Sequence, residues 1–204
     1  MEIYAAMIAN IDFQLGWLFG YLKKAGKWEN TVVIFLSDNG ANGLFMHQYP
    51  HTDEVWVARN SDNRLENPGR KFSRTATGPA WAQVNMTPYR MFKNFVAEGG
   101  TRTLLIVAGP GVEKSGAHSD AFTHVMDIAA TILDVSEIEH PGTSYKGRKV
   151  EVMPGRSLTP VLSGKADFVY EDDTAVSWEL YGMRAVRKGN FKLLRLVKPF
   201  GPEE

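Results

Sequence analysis

The chain has 204 residues, with 23 Lys plus Arg against 23 Asp plus Glu, 44% apolar residues and no cysteine. Zero net charge offers no global field for a polyanion and so no support for nucleic-acid binding, and the apolar content excludes a disordered or fibrous chain. Without cysteine there is no disulfide, no thiolate nucleophile and no Cys-based zinc site, so any chemistry within these residues rests on oxygen and nitrogen groups.

No apolar run exceeds six residues, against about 20 for a spanning helix, so no membrane span is expected. Met1-Glu2-Ile3-Tyr4 lacks the basic leader and apolar centre of a signal peptide. That leaves a cytosolic protein or one whose natural start lies upstream.

From residue 3 to residue 24, Ile3, Met7, Ile8, Ile11, Leu15, Leu18 and Leu22 recur mostly at spacings of three and four. This predicts an amphipathic helix, with Gly26 placed to cap its C-terminus. The continuous β-branched run 31–36 predicts a strand covered on both faces, ending in Ser37-Asp38-Asn39-Gly40. A helix followed by such a strand points to an α/β domain with a largely parallel sheet.

Residues 42–90 show no sustained periodicity, and a structureless loop of that length is expected only where it is functional. A second buried-type strand is predicted over 103–108 and a helix over 123–133, with Asp127 early in it where the helix dipole favours an acid. Residues 136–156 read as a linker and 157–163 as a short helical turn. Segments 174–181, 183–187 and 191–197, separated by Gly182 and by Lys188-Gly189-Asn190, predict an antiparallel meander.

Asp38 and Asn39 stand at the carboxyl end of the first predicted strand, where open α/β sheets assemble ligand sites. Their hard oxygens suit calcium or magnesium, although six or more donors are needed for calcium and two residues cannot supply them. The competing reading is that Asp-Asn-Gly is simply a turn. Lys93 precedes Glu98-Gly99-Gly100-Thr101-Arg102 and the second strand. Its ammonium could hold an anionic sulfate or phosphate oxygen, or it could be an ordinary solvated lysine. Arg102 reads as a structural partner for a carboxylate. His47, His51, His118, His124 and His140 form no ligand motif, with His124 read as a capping or packing residue, and no serine sits in a nucleophile elbow.

Taken together and in order, several phrases resemble the C-terminal half of a sulfatase of the bacterial arylsulfatase type. They are Tyr4-Ala-Ala-Met-Ile-Ala-Asn-Ile-Asp12, Asn30-Thr-Val-Val-Ile-Phe-Leu-Ser-Asp-Asn-Gly-Ala41, Phe92-Lys93 with Glu98-Gly-Gly-Thr-Arg102, and His124-Val-Met-Asp-Ile-Ala-Ala-Thr-Ile-Leu-Asp134. Two more follow, over 155–164 and 179–193, and the stretch containing 62–70 and 78–83 is similar to bacterial arylsulfatases in particular.

The resemblance implies an alkaline-phosphatase-like α/β fold, a mixed sheet sandwiched by helices, followed by a small antiparallel sheet subdomain. Residues 1–156 would belong to the catalytic domain and 157–204 to the subdomain. It implies that Asp38 and Asn39 are metal ligands, for calcium or magnesium, and that Lys93 contacts the sulfate group of a small-molecule sulfate ester substrate. The family's nucleophile is a formylglycine made within a Cys/Ser-X-Pro-X-Arg motif, which does not occur in these residues. The chain is therefore expected to be a truncated half, inactive alone, of a parent sulfuric ester hydrolase that is periplasmic or secreted. The alternatives are a phosphonate or phosphate ester hydrolase of the same superfamily and a non-catalytic scaffold. Neither nucleic acid nor membrane is an expected partner.

Overall fold

The computed structural model describes residues 1–201 and shows a mixed α/β chain with small antiparallel sheets. Helix α1 (Glu2–Lys24) follows the predicted stripe. It ends as the sequence predicts, with Gly26 at φ +64°, its N–H on the Lys23 carbonyl and the Lys27 N–H on Leu22. These two bonds satisfy carbonyls that the helix end would otherwise leave unpaired. Yet no residue of α1 is buried. Met7 is 60% exposed and Trp17 74% exposed.

Strands β1 (Val33–Leu36) and β2 (Leu105–Ala108) pair with each other, in register from Val33 opposite Ala108 to Leu36 opposite Leu105. The pairing is antiparallel, whereas the helix-then-strand order predicted a parallel sheet. Nor is the ribbon covered on both faces, since Phe35, Leu36 and Ile106 are exposed. The described chain exposes 15163 Å², against roughly 9,600 Å² from the surface scaling of a folded monomer of this mass.

The stretch 42–90 is not a structureless loop. It contains α2 (Glu54–Asn60), whose first turn is capped by the Asp53 carboxylate accepting from the Trp56 N–H, and α3 (Gly78–Met86), with Pro79 in its first turn. Both are short and carry no clear apolar stripe, which is why periodicity did not find them. Between them, Arg64 grips Asp62 with two hydrogen bonds of 2.8 and 2.7 Å, and Asn63 and Arg74 bond reciprocally.

The short helix α4 (Glu98–Thr101) leads into β2. Beyond it, α5 (Met126–Val135) starts three residues later than predicted, and the expected linker contains the hairpin β3 (Ser144–Tyr145) and β4 (Arg148–Lys149). Helix α6 (Thr159–Leu162) fills the predicted helical turn. Asp127 is fully buried and ties these parts together. Its carboxylate accepts from the His124 and Arg156 backbone N–H groups at 2.7 and 2.9 Å and from the Tyr170 hydroxyl. Burial first, and the bond to Asp127 second, push the Tyr170 hydroxyl pKa up.

The predicted meander is present as β5 (Ala175–Leu180), β6 (Met183–Lys188) and β7 (Phe191–Arg195), in the order β5-β6-β7. Tyr181 and Gly182, both at positive φ, make the first two-residue turn. The inner face packs Met183 and Ala185 on Val96, with Phe95, Trp178, Leu180 and Leu194 around them. This core sits directly behind the segment that carries Lys93.

Candidate functional site

The end of β1 turns sharply at residues 37–41. The Ser37 hydroxyl donates to the Asn39 carbonyl at 3.0 Å, and the Asn39 amide nitrogen donates to the Gly40 carbonyl at 3.0 Å. Asn39 Oδ1 is thus the open end of its amide. Asp38 is exposed and Asn39 half-buried. Among the described residues, the Asp38 carboxylate accepts no hydrogen bond and has no ion-pair partner.

Two backbone bonds stitch this turn to the segment 90–101. Gly40 N–H donates to the Gly100 carbonyl at 3.1 Å, and Lys93 N–H donates to the Ala41 carbonyl at 2.9 Å. Residues 39 and 93, far apart in sequence, thereby become neighbours at one sheet end. The Lys93 side chain is half-buried and, among the described residues, has no ion-pair partner.

Three glycines make the approach possible. A Cβ on Gly40 would lie 1.7 Å from the Gly99 carbonyl oxygen, one on Gly99 1.8 Å from that of Met91, and one on Gly100 2.0 Å from that of Phe95. Backbone occupies each place where a side chain would begin, so the Gly pair is required by contact distance.

Sequence reasoning did not single out the residues that buttress this arrangement. Gln83 on α3 accepts from the Met91 N–H at 2.8 Å and donates to the Tyr89 carbonyl at 2.9 Å, and Met86 Sδ accepts from the Ala41 N–H at 3.1 Å. Arg102 stacks over the Tyr89 ring at 4.9 Å and, among the described residues, pairs with no carboxylate, contrary to expectation. His124 does cap α5, its Nδ1 accepting from the Met126 N–H at 3.3 Å, and its ring lies 5.7 Å from that of Trp178. His47 stacks on Phe45.

The donor set at the turn fits a hard divalent cation in kind, being a carboxylate and an amide oxygen without competing donors. In number it is partial, because calcium takes six to eight oxygens. Among the described residues no cluster of three or more His, Cys, Asp or Glu could hold a metal by itself. Two cavities, of about 290 Å³ beside Phe122 and Arg187 and about 470 Å³ on the outer face of β5–β7, include none of Asp38, Asn39 and Lys93. No helix among the described residues is long and apolar enough to cross a membrane.

Comparison with known proteins returns a consistent set. Residues 1–138 match the Sulfatase family model. The chain is 41% identical over 199 residues to an uncharacterized sulfatase of Schizosaccharomyces pombe, covering 97% of this chain and 36% of that protein. It is 39% identical over 166 residues to an arylsulfatase of Klebsiella aerogenes, covering 81% and 35% respectively. Among solved structures it resembles BT4656 in complex with its substrate D-glucosamine-2-N,6-O-disulfate, with TM-score 0.60 and 21% identity over 96% of this chain and 31% of that one. The chain thus spans about a third of the length of the curated relatives it matches.

Proposed function

This chain belongs to the sulfatase family, with the α/β fold of the alkaline-phosphatase-like superfamily, and from that membership we propose that it forms part of a sulfuric ester hydrolase acting on a small-molecule sulfate ester. Asp38 and Asn39 are two of the ligands of a divalent cation, calcium or magnesium, and Lys93 contacts the sulfate. The observation that carries the reading is the pair of backbone bonds, Gly40 to Gly100 and Lys93 to Ala41. They bring the backbone of the Asp38-Asn39 turn beside that of Lys93, and among the described residues none of these three side chains is paired with a protein charge.

A bound cation supplies positive charge opposite the sulfate oxygens and the developing negative charge of the reaction. The chain's own contribution is then orientation. The Asn39 amide nitrogen is taken up by the Gly40 carbonyl, so its oxygen is the end left to bind. Lys93 presents a compact ammonium for a sulfate oxygen, its own N–H held by the Ala41 carbonyl and that of Met91, two residues earlier, by Gln83. The nucleophile, formylglycine in this reading, comes from outside these residues.

Residues 1–156 form part of the catalytic domain and 157–204 part of the smaller subdomain. The remaining two-thirds of a protein as long as the relatives would cover α1 and the β1–β2 ribbon, which agrees with their exposed apolar surface.

The test is calcium and magnesium titration of the natural gene product, with turnover of an aryl sulfate measured alongside. Asp38→Ala should weaken cation affinity at least tenfold, because a charged ligand is worth more than one neutral hydrogen bond. Unchanged cation affinity together with an unchanged melting temperature would remove Asp38 from the metal site.

A further inference from the structure

Lys192 on β7 lies on the inner face of the sheet, its side chain only 11% exposed. Its Nζ donates to Glu98 Oε1 at 2.8 Å and to Thr101 Oγ1 at 2.8 Å, and it sits 4.6 Å from the centre of the Trp178 ring. An ammonium has three donors, and here two of them meet oxygen while an aromatic ring adds a cation–π contact. So complete an engagement by protein groups differs from the exposed pairs Lys149–Glu151 and Arg64–Asp62.

Both oxygen partners of Lys192 are on α4, one at its first residue and one at its last. Between them lie Gly99 and Gly100, and it is the Gly100 carbonyl that accepts the Gly40 N–H next to Asn39. The Gly99 N–H in turn donates to the Arg90 carbonyl at 2.9 Å, on the segment leading to Lys93. Four residues of helix cannot hold their own shape, since helix nucleation is unfavourable at that length. Something outside α4 has to fix it, and Lys192 clamps both ends.

We propose that Lys192 is a positioning residue: through Glu98 and Thr101 it fixes α4, and α4 holds the Asp38-Asn39 turn and Lys93 in their mutual placement. The C-terminal sheet is thereby a working part of the site, although it contributes no group to it. The inference deepens the functional reading above and rests on it only for the chemistry that the placement serves.

Hydrogen exchange of the natural gene product, read by mass spectrometry without added cation, tests the clamp. In Lys192→Met, peptides containing the Gly40 and Lys93 amides should exchange on the order of tenfold faster, the loss expected when a charged hydrogen bond that closes a local opening is removed. Peptides from β6 should not change. Glu98→Ala, which removes the acceptor on the far side of the clamp, should give the same pattern, and Lys192→Arg should keep exchange slow. Unchanged exchange at Gly40 and Lys93, or an acceleration shared equally by β6, overturns the proposal. Asp38→Ala separates the two readings: it should weaken cation affinity at least tenfold while leaving Gly40 exchange slow, so either idea can fail without the other.

Discussion

The contact between Gly40 and α4 makes a sharp prediction for Gly40→Ala. The new methyl group would start 1.7 Å from the Gly99 carbonyl oxygen and 2.9 Å from its carbon. Relief requires the two backbones to part by more than an ångström. Helix α4 cannot retreat, because Gly99 and Gly100 are themselves pressed against the Met91 and Phe95 carbonyls. The turn must therefore move and give up the Gly40-to-Gly100 hydrogen bond. Overpacking against an unyielding neighbour together with one lost hydrogen bond costs roughly 2–4 kcal/mol. In a protein about three times as long as this chain, like the relatives it matches, that lowers the melting temperature by about 2–3 °C. Calorimetry of the natural gene product measures it, with Gly16→Ala as the control. Gly16 lies within α1 and, among the described residues, nothing comes within 4 Å of a Cβ there, so alanine meets no backbone of this kind. A Gly40→Ala protein that melts with the wild type would refute the contact argument.

Two further outcomes follow from named contacts. Asp127→Ala strands the His124 and Arg156 N–H groups and the Tyr170 hydroxyl without their acceptor, which should cost roughly 3–5 kcal/mol in chemical denaturation; a loss well under 1 kcal/mol would show that the buried carboxylate is dispensable. The hydrogen bonds from Arg64 hold the Asp62 pKa at about 2. Because the folded value lies below the unfolded one, whatever this pair contributes is present above pH about 4 and disappears as pH falls through about 2. Carbon-13 NMR of the Asp62 carboxyl should show that low midpoint, and Arg64→Gln should return it to the ordinary range.

The sequence carried the elements whose signals are local. Helix α1 was legible because its apolar spacing, Lys23-Lys24 and Gly26 all agree, and the meander because short strands are punctuated by Gly182 and Gly189. The end of β1 was legible as a turn for the same reason. Strand direction was not, since β1 meets β2 across some 70 intervening residues and the pattern of either strand is the same in both orientations. Helices α2 and α3 escaped because a cap at Asp53 and a proline at position 79 make short helices without an amphipathic period. Lys192 escaped because its partner Glu98 is 94 positions away, and a lysine in an alternating strand reads as a solvated one.

The division of labour within the site follows from what cannot support it. Among the described residues, α1 buries no side chain and the β1–β2 ribbon leaves Phe35, Leu36 and Ile106 exposed, so the contacts that hold the Asp38-Asn39 turn come from elsewhere. The turn is instead held from the side, by three glycines packed against backbone, by Gln83 and Met86 from α3, and by α4 clamped to the C-terminal sheet through Lys192. Precision at the turn then depends on residues outside the turn itself. If the proposed site is right, substitutions at Gly99, Gly100 or Lys192 should change cation and sulfate recognition through the geometry of the turn, without removing any group from it.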